Sequence, residues 1–312
     1  MVRQLVALLL SLISGQAVAG LEIQQVTDHT YALVGPLGQR SETNFGNNAT
    51  FGVVVTNEGV VLIDPGGSWK GAEEIHAAIK QITDQPVKIV INTGGQDHRW
   101  FGNDYWQQKG ARTIASEAAN ADHTDRVSLQ IEGATFFLKD QYEGTKPVNA
   151  TETFAEEMSV SLGGYTFEMT FIAAAHTPGD IFIWVPEAQT IFTGDIVYTE
   201  RLLGIGSQSS AIEWVETYKA IAKLNATHVV PGHGHATDML QADADTYDYL
   251  INLRAKIAAH IESGGDIIGS VEVDQSAFSY LHNFDQLARR NAQTRVFRIP
   301  CHGVSLDIQH VV

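Results

Sequence analysis

The stretch INTGGQDHRWFGN, residues 91–103, decides the fold of this chain and locates its candidate site. An apolar run at 87–91 predicts a buried strand, and a polar loop with two glycines follows it. Four consecutive residues of that loop are ionisable or form hydrogen bonds: Gln96, Asp97, His98 and Arg99. Such side chains are costly to bury without partners, but a surface loop carries them easily. This stretch alone therefore does not establish a functional site.

Three later stretches repeat this arrangement, since in each an apolar run ends near a histidine or an aspartate that lies beside glycine. They are AAAHTPGD at 173–180, IFTGD at 191–195 and VVPGHGH at 229–235. Glycine lets the backbone turn tightly next to such residues. Four polar loops at the ends of four apolar strands indicate one shared site.

The residues in these loops are of the types that bind metals. Imidazole and carboxylate groups on short, rigid loops are the usual ligands of zinc and similar ions. The three later stretches supply His176, Asp195 and His233 for this purpose. A dinucleotide site is not expected, because no G-x-G-x-x-G follows a predicted strand.

Apolar periodicity divides the chain into two β-rich segments, each followed by helices and a strand. The spacing predicts helices at 69–82, 211–224, 238–263 and 284–293, and a final strand at 296–299. Residues 132–155 have no clear pattern and are expected to form a loop over the site. Two mixed halves, with helices outside and sheets inside, indicate an α/β fold of four layers, αββα, whose polar loops meet at one edge.

The N-terminus has the pattern of a secretory signal peptide. Arg3 provides a positive start, an apolar run follows, and Ala17-Val18-Ala19 forms a small-residue cleavage site. The apolar run is too short to span a membrane. We therefore expect residues 1–19 to be removed near Ala19/Gly20, and the mature protein to be periplasmic or secreted without membrane insertion.

Charge and size set further bounds. Without residues 1–19 the chain has 19 Lys and Arg against 36 Asp and Glu, a net charge of −17. This charge disfavours nucleic acid and anionic membranes as partners and leaves a small-molecule substrate as the expected one. Cys301 is the only cysteine, so no intramolecular disulfide can form. We expect one domain, 20–312, with 238–312 as a C-terminal elaboration, while the sequence has no signal for oligomeric state.

In their order along the chain, these motifs resemble those of the metallo-β-lactamase fold superfamily. They are Asp64-Pro-Gly, Asn92-Thr93 with Asp97-His98, His176-Thr-Pro-Gly-Asp, Thr193-Gly194-Asp195 and Pro231-Gly232-His233-Gly234. The resemblance covers essentially the whole mature chain. The stretch 249–291 also resembles the extension of exported members found with sulfur-oxidation and quinoprotein systems. The resemblance implies a four-layer αββα sandwich with a C-terminal helical extension.

The resemblance also implies a site for one or two divalent metals, usually zinc, that activates water for hydrolysis. His176 would bind the first metal, Asp195 would bridge, and His233 would bind the second, with iron or manganese as alternatives to zinc. Asp97 and His98 would complete the second position, and Asp97 and Asp195 would be the catalytic carboxylates. From outside the coordination sphere, Asp64 would orient a ligand histidine.

The first motif departs from the family pattern, which is N-T-H-x-H-x-D-H-x-x-G-N. Aligned without a gap, Gly94 and Gln96 stand where the two histidines belong, and His98 and Arg99 take the last two ligand positions. A slip of one residue instead places Asp97 and His98 on the D-H pair, which preserves a carboxylate and an imidazole. Both alignments deprive the first metal of nitrogen ligands, so we expect a mononuclear or unusually ligated centre.

Two histidines and Gln96 are candidates for additional ligands. Gln96 or His123 could replace a missing ligand, although a solvent-facing position is the favoured interpretation of His123. His235 is a candidate ligand or acid–base group, and an exposed loop histidine is the favoured alternative.

Arg99 and Arg201 are the cations nearest the motifs. Arg99 either binds an anionic group of the substrate bidentately or pairs with Asp97 or Asp195 and holds the loop. Arg201 is a further candidate for substrate contact.

Two functions compete at this point. The favoured one is a periplasmic metal-dependent hydrolase of a small ester, thioester, lactam or sulfur ester. The alternative is a catalytically inactive member of the superfamily that binds a ligand or a partner, which the missing histidine pair favours. The retained histidines and Asp195 favour the hydrolase.

Overall fold

A computed structural model describes residues 20–293, and these form two mixed β-sheets packed face to face. We call them sheet one and sheet two. Sheet one contains seven strands in chain order: β1 (Glu22–Gln25), β2 (Thr30–Val34), β3 (Thr50–Thr56), β4 (Gly59–Ile63), β5 (Val87–Ile91), β6 (Arg112–Ser116) and β7 (Glu152–Phe154). The strands β1 to β4 pair antiparallel, and β4 to β7 pair parallel.

Sheet two contains five strands in the order β12-β11-β10-β9-β8. They are β8 (Glu157–Leu162), β9 (Tyr165–Phe171), β10 (Ile181–Val185), β11 (Thr190–Phe192) and β12 (His228–Val230). Neighbours are antiparallel except β11 and β12, which are parallel. Since parallel neighbours end at the same edge, the loops after β11 and β12 lie side by side, as do those after β4 and β5.

Within residues 20–293, seven α-helices accompany the sheets. They are α1 (Trp69–Ile82), α2 (Asn103–Gln108), α3 (Glu117–Leu138), α4 (Ala211–Ala222), α5 (Met239–Ala242), α6 (Asp248–Glu262) and α7 (Phe284–Gln293). None of the helices at 20–293 is long and apolar enough to cross a membrane.

Three apolar clusters confirm the predicted order of layers. Ile75 and Ile79 of α1 pack on one face of sheet one, with α2 beside them. The other face of sheet one packs on sheet two, where Ile91 and Phe192 lie in one cluster. The outer face of sheet two packs on α4, α6 and α7. This arrangement is the four-layer αββα sandwich with a C-terminal helical extension.

Two segments differ from their predictions. The expected loop at 132–155 is wrong in part, because α3 continues to Leu138 and β7 lies within this segment. The apolar residues of α3 do not form one stripe, and Leu129 and Phe136 are exposed, so the apolar spacing did not indicate a helix here. The predicted helix 238–263 is interrupted by a π-helical turn, Asp243–Tyr247.

That π-helical turn supports the segment after Asp195. Thr246 accepts a hydrogen bond from the backbone N–H of Tyr198, and Asp245 accepts one from the N–H of Glu200. Such bulges in helices often occur near functional sites. The predicted signal peptide, the strand at 296–299 and Cys301 lie outside the described residues.

Candidate metal centre

The ends of four strands bring the polar motif residues of both sheets to one edge, as the loop pattern predicts. Asp64 follows β4, and its backbone N–H donates to the carbonyl of Ile91 at the end of β5. The loop after β5 leads into a short 3₁₀ turn, Asp97–Arg99. On the other sheet, Asp195 follows β11 and His233 follows β12.

Three of the predicted ligands converge at this edge. The Nε2 atom of His98 lies 3.3 Å from Oδ2 of Asp195, and Nε2 of His233 lies 3.2 Å from Oδ1 of the same carboxylate. The two imidazole rings are 5.3 Å apart and nearly perpendicular. All three residues are buried, and each offers one donor atom within 4.8 Å of the other two.

Arg99 lies beneath these ligands and joins the two sheets. Its Nη1 donates to Oδ2 of Asp64 at 2.8 Å and its Nη2 donates to Oδ1 of Asp195 at 2.7 Å. The same nitrogens donate to the carbonyls of Thr50 and Gly232. Among the two roles expected for Arg99, this geometry favours the one in which the guanidinium pairs with Asp195 and holds the loops.

The buried charges around Arg99 stabilise one another. Burial raises the pKa of Asp195, but the guanidinium of Arg99 and the ring of His98 outweigh it and leave that pKa well below its usual range. Burial lowers the pKa of Arg99, and the carboxylates of Asp195 and Asp64 reverse that effect and raise it. Asp195 is therefore ionised at neutral pH, as a metal ligand must be.

Asp64 does not contact a ligand histidine and instead supports the loop and Arg99. Its carboxylate accepts hydrogen bonds from the backbone N–H and the hydroxyl of Thr93, at 2.7 and 2.8 Å, besides the one from Arg99. Its φ of 68° lies in the left-handed region, which aspartate tolerates better than most residues. The backbone thus takes an unfavourable conformation at the residue whose carboxylate binds both Thr93 and Arg99.

Asp97 is not one of the three converging ligands, but its Oδ1 lies 3.4 Å from Nδ1 of His98, whose other ring nitrogen faces Asp195. Its Oδ2 forms a partly buried ion pair with Nη1 of Arg40, a residue that the sequence analysis did not single out. Burial raises the pKa of Asp97, but Arg40 and His98 outweigh it and lower the pKa to about 2. Gln96 lies beside it, with its Nε2 donating to Oδ1 of Asp97 at 3.3 Å. His98 and Arg99, rather than Asp97 and His98, face Asp195, which favours the gapless alignment.

His176 lies close to the centre but outside the group of three. Its Nδ1–H donates to the carbonyl of Gly204 at 2.9 Å, so Nε2 carries the free lone pair. The ring is enclosed by Tyr198 and Trp214. Burial lowers the pKa of His176 to about 4, so it is neutral at neutral pH.

The position of the first missing histidine is filled by another side chain. A Cβ atom on Gly94 would overlap Oδ1 of Asp180, and one on Gly95 would overlap the carboxylate of Asp122. Asp180 accepts hydrogen bonds from the backbone N–H and the hydroxyl of Thr177. Burial, with the negative charge of Asp195, raises the pKa of Asp180 to about 8. The glycine that replaces a ligand thus makes room for a buried carboxyl group.

Arg201 contacts a proposed ligand directly. Its Nη1 donates to Nδ1 of His233 at 2.7 Å, so this nitrogen must carry a lone pair. In the neutral ring Nε2 then carries the proton, which points to Asp195. Burial and the charge of Arg201 lower the pKa of His233 well below its usual range.

The two remaining histidine candidates lie apart from the converging ligands. His123 is buried, so the favoured solvent-facing position is wrong. It stacks on Trp100 at 4.2 Å and its Nε2–H donates to the carbonyl of Gly94. His235 is partly exposed and bonds to Glu200 and Glu22. His123 thus supports the loop after β5, and His235 joins two surface carboxylates.

The donor set of His98, Asp195 and His233 fits one divalent metal in type and in spacing. Two imidazoles and one carboxylate with an open position are a usual ligand set of catalytic zinc. Arg99 and Arg201 add positive charge next to these donors, and the hydrogen bond from Arg201 must leave Nδ1 before neutral His233 can bind metal through Nε2. Metal binding is therefore expected to be weaker than the donor set alone would indicate.

Comparison with known proteins agrees with the fold and the order of the motifs. A family model described as the Metallo-beta-lactamase superfamily matches residues 45–233, which is more than half of the chain. This range includes every residue of the centre described above except Arg40.

Curated relatives are similar at low identity. Metallo-beta-lactamase IND-1 of Chryseobacterium indologenes is 24% identical over 209 residues, which are 66% of this chain and 77% of that protein. Metallo-beta-lactamase type 2 of Elizabethkingia meningoseptica is 26% identical over 230 residues, 70% and 81% of the two chains. The 2,4-dinitroanisole O-demethylase subunit alpha of Nocardioides sp. (strain JS1661) is 22% identical over 259 residues, 80% and 74%.

Solved structures share the fold. A metallo-beta-lactamase from Pontibacter korlensis has a TM-score of 0.60 and 22% identity, covering 74% of this chain and 99% of that one. The DIM-1 metallo-beta-lactamase has a TM-score of 0.57 and 18% identity, covering 73% and 96%. At these identities the likeness shows the fold alone.

Proposed function

Because this chain belongs to the metallo-β-lactamase superfamily, we propose that it is a metal-dependent hydrolase that holds one divalent metal ion at His98, Asp195 and His233. The observation that carries the proposal is the convergence of these three buried donors. They come from two sheets and from three separate loops, and nothing in the core packing requires two histidines to face one carboxylate there.

The proposal of a single ion rests on what occupies the space around the donors. Asp180 fills the volume next to Gly94 where a further ligand side chain would begin. The guanidinium of Arg99 lies between Asp64 and Asp195 and would repel a second cation. His176 is a further candidate donor, because its Nδ1 bonds to the carbonyl of Gly204 and leaves the lone pair on Nε2. Zinc is the expected ion, with iron and manganese as alternatives.

When bound, the ion would lower the pKa of a water molecule and supply hydroxide near neutral pH. The protein groups around it have separate tasks. Arg99 donates hydrogen bonds to loops from both sheets. Through the bond to Asp195 it orients that carboxylate and keeps it ionised. Asp97 lies beside Nδ1 of His98 and its pKa of about 2 makes it a weak base at neutral pH, so we assign it the task of orienting His98 rather than of taking a proton from water.

The substrate we propose is a small ester, thioester, lactam or sulfur ester. The lactamase names of the relatives do not establish lactam hydrolysis here, because one fold supports many reactions. We also propose that the protein acts in the periplasm or outside the cell, which rests on the signal-like pattern of residues 1–19.

A second candidate is an inactive member that binds a ligand or partner, and one observation favours it. Nδ1 of His233 accepts from Arg201, which places the ring proton on the nitrogen that a metal would need. If this hydrogen bond persists, His98 and Asp195 alone remain, and two ligands do not hold zinc tightly.

The deciding experiment measures metal content by elemental analysis of the mature protein purified without added metal, followed by titration of the chelated protein with zinc. One ion per chain, with hydrolysis of an ester or thioester that is lost on chelation, supports the proposal. Two ions would overturn the mononuclear centre. No ion and no rebinding would overturn the hydrolase and favour the binding protein.

A further inference from the structure

One face of α3 binds the loop between β5 and the 3₁₀ turn. His123, Arg126 and Gln130 lie on this face at spacings of three and four residues, which bring side chains to one side of a helix. The Nε2–H of His123 donates to the carbonyl of Gly94 at 3.0 Å. Arg126 through Nη2 and Gln130 through Nε2 donate to the carbonyl of Gly95, at 3.1 and 2.9 Å. Two consecutive carbonyls of the loop are therefore held by side chains of one helix.

The same helix also holds Trp100, two positions after His98. The ring of His123 stacks on the indole of Trp100, with ring centroids 4.2 Å apart and an interplanar angle of 10°. The indole Nε1–H donates to Oε1 of Gln130 at 3.0 Å. Gln130 thus bonds through its amide nitrogen to the backbone before His98, and through its amide oxygen to the side chain after it.

These contacts are buried. Trp100, His123 and Gln130 have relative exposures of 1%, 0% and 6%. Solvent does not replace a hydrogen bond that is lost at such a site, so an unpaired donor or carbonyl there carries its desolvation cost. The bonds from α3 therefore restrict the loop to one position.

The other side of the loop is bonded to the segment before β10. The backbone N–H of Gly95 donates to Oγ1 of Thr177 at 2.9 Å, and the carbonyl of Thr93 accepts from the N–H of Ile181 at 2.8 Å. Gly95 also lies so close to α3 that a Cβ atom there would overlap the carboxylate of Asp122. The loop is therefore enclosed between α3 and this segment.

This support bears on His98, the ligand that sheet one supplies. In the family pattern the residues at 94 and 96 are histidines, so a bound metal would itself hold the loop. Gly94 has no side chain, and the amide of Gln96 bonds to Asp97, so in this chain hydrogen bonds from other protein groups hold the loop. The distance of 3.3 Å between Nε2 of His98 and the carboxylate of Asp195 depends in turn on the position of the loop.

We propose that His123 and Gln130 are positioning residues, which hold His98 where it can share a metal ion with Asp195 and His233. The inference rests on the proposed function for the metal, while the contacts that carry it are formed between protein groups. Residues that orient a ligand without touching the metal change metal affinity by about 10- to 100-fold when they are replaced. The hydrogen bonds from α3 thus supply part of the restraint that the two missing histidines would give.

The test measures the zinc affinity of Gln130→Leu by equilibrium dialysis with elemental analysis. This variant keeps a side chain of similar size and loses the bonds to Gly95 and Trp100. We expect its zinc affinity to fall by about tenfold or more. The visible absorption of bound Co²⁺, which depends on the number and geometry of its ligands, gives a second readout and should change because His98 is displaced.

Gln275→Leu is the matched control. Gln275 is similarly buried and also forms two side-chain hydrogen bonds, since it accepts from the hydroxyl of Tyr249 and donates to the carbonyl of Ala288. These partners lie on α6 and α7. Its replacement should affect stability as that of Gln130 does, but the zinc affinity and the Co²⁺ spectrum should remain those of the wild type.

His123→Phe separates the two contacts of that residue. Phenylalanine can stack on Trp100 but donates no hydrogen bond to the carbonyl of Gly94. We expect the zinc affinity to fall by about fivefold, the loss of one neutral hydrogen bond. If Gln130→Leu does not fold, as judged by circular dichroism, this variant carries the test.

Amide hydrogen exchange of the chelated protein measures the hold on the loop independently of metal. The amides at 94–100 should exchange faster in Gln130→Leu and His123→Phe than in the wild type. In Gln275→Leu they should exchange at the wild-type rate.

Equal zinc affinity in the wild type and in both α3 variants, or an equal loss in Gln130→Leu and Gln275→Leu, would overturn the inference and leave the proposed function intact. A wild type that binds no zinc would overturn the proposed function and, with it, the role of α3 in metal binding. Faster exchange at 94–100 in the two α3 variants would then still identify α3 as the support of the loop.

Discussion

The two sheets contribute to the same centre in opposite ways. Sheet two supplies Asp195 and His233 on short loops after adjacent parallel strands, and both face the centre as the sequence motifs predicted. Sheet one supplies one converging ligand, His98, and otherwise a set of charges that hold each other: Asp64, Arg99, and the pair of Asp97 with Arg40. Sheet two therefore supplies two of the three metal-binding donors, and sheet one supplies mainly the ion pairs that hold the loops in place.

The difference shows how a site can lose ligands and stay ordered. Where the family pattern has paired histidines, this chain has Gly94 and Gln96, and Asp180 occupies the space beside Gly94. At the position of the final histidine in that pattern stands Arg99. Its side chain supplies a permanent positive charge, whereas a histidine there would hold a metal ion that can exchange. A guanidinium that bonds to loops from both sheets can stabilise these loops without a metal ion.

The largest effect is expected from removal of the charge that joins the sheets. Arg99→Ala would leave Asp64 and Asp195 buried without their cation, at a cost of about 3–5 kcal/mol in the free energy of unfolding. Chemical denaturation of the chelated protein measures it. Arg112→Ala, at an exposed ion pair, should cost no more than about 1 kcal/mol. Equal costs for the two variants would mean that Arg99 does not hold the sheets together.

Removal of a ligand on the loops of sheet two should weaken metal binding and leave the fold intact. His233→Ala is expected to weaken zinc affinity by more than about 100-fold, the upper range for residues that only support a ligand. Equilibrium dialysis with elemental analysis measures the affinity, and circular dichroism checks the fold. His235→Ala, two residues along and bonded to surface carboxylates, is the matched control and should bind zinc as the wild type does. Unchanged zinc affinity in His233→Ala would remove this residue from the centre.

The space beside Gly94 provides a sharper test of the sheet-one half. Gly94→Ala places a methyl group against the carboxyl of Asp180 and should cost about 1–3 kcal/mol, as overpacking does. In an Asp180→Gly background the same change should cost much less, because the overlap is gone. A double-mutant cycle by chemical denaturation measures the coupling. Additive costs would show that Asp180 does not fill this space.

The pH dependence of stability is expected to change at Asp180. Burial, aided by the charge of Asp195, raises the pKa of Asp180 from 3.8 to about 8 in the folded protein. The unfolded chain therefore releases this proton first, and the contribution of Asp180 to stability falls as pH rises from about 4 to about 8. In chelated protein, Asp180→Asn should flatten the decline of the unfolding free energy across this window. The same slope in both proteins would contradict a raised pKa.

Much of the fold followed from apolar spacing alone. The helices at 69–82 and 284–293 and the strand at 87–91 have the predicted bounds, because apolar runs and helical stripes are local patterns. The order of the motifs correctly indicated that loops from both halves meet at one edge. The segment 132–155 was not predicted well, since the long helix α3 has exposed apolar residues and no single stripe.

The partners of each charged residue could not be predicted in the same way. Arg40 lies in a stretch with no motif, and its pairing with Asp97 joins residues 57 positions apart. His123 was expected at the surface because its neighbours are polar, yet the ring stacks on Trp100 beneath the loop. A sequence pattern reports how polar a segment is, while burial depends on which segment covers it.

The sequence by itself determined the family, the four-layer architecture and the residue types that meet at the edge, because these depend on periodicity and on motifs within a few residues. Only the tertiary structure decided which nitrogen of His233 carries the proton, that Arg99 bonds to Asp64 and Asp195, and that no carboxylate within residues 20–293 pairs with Arg201. These features depend on distances of about 3 Å between residues far apart in the chain, and hydrogen bonds weaken steeply as their geometry departs from the ideal.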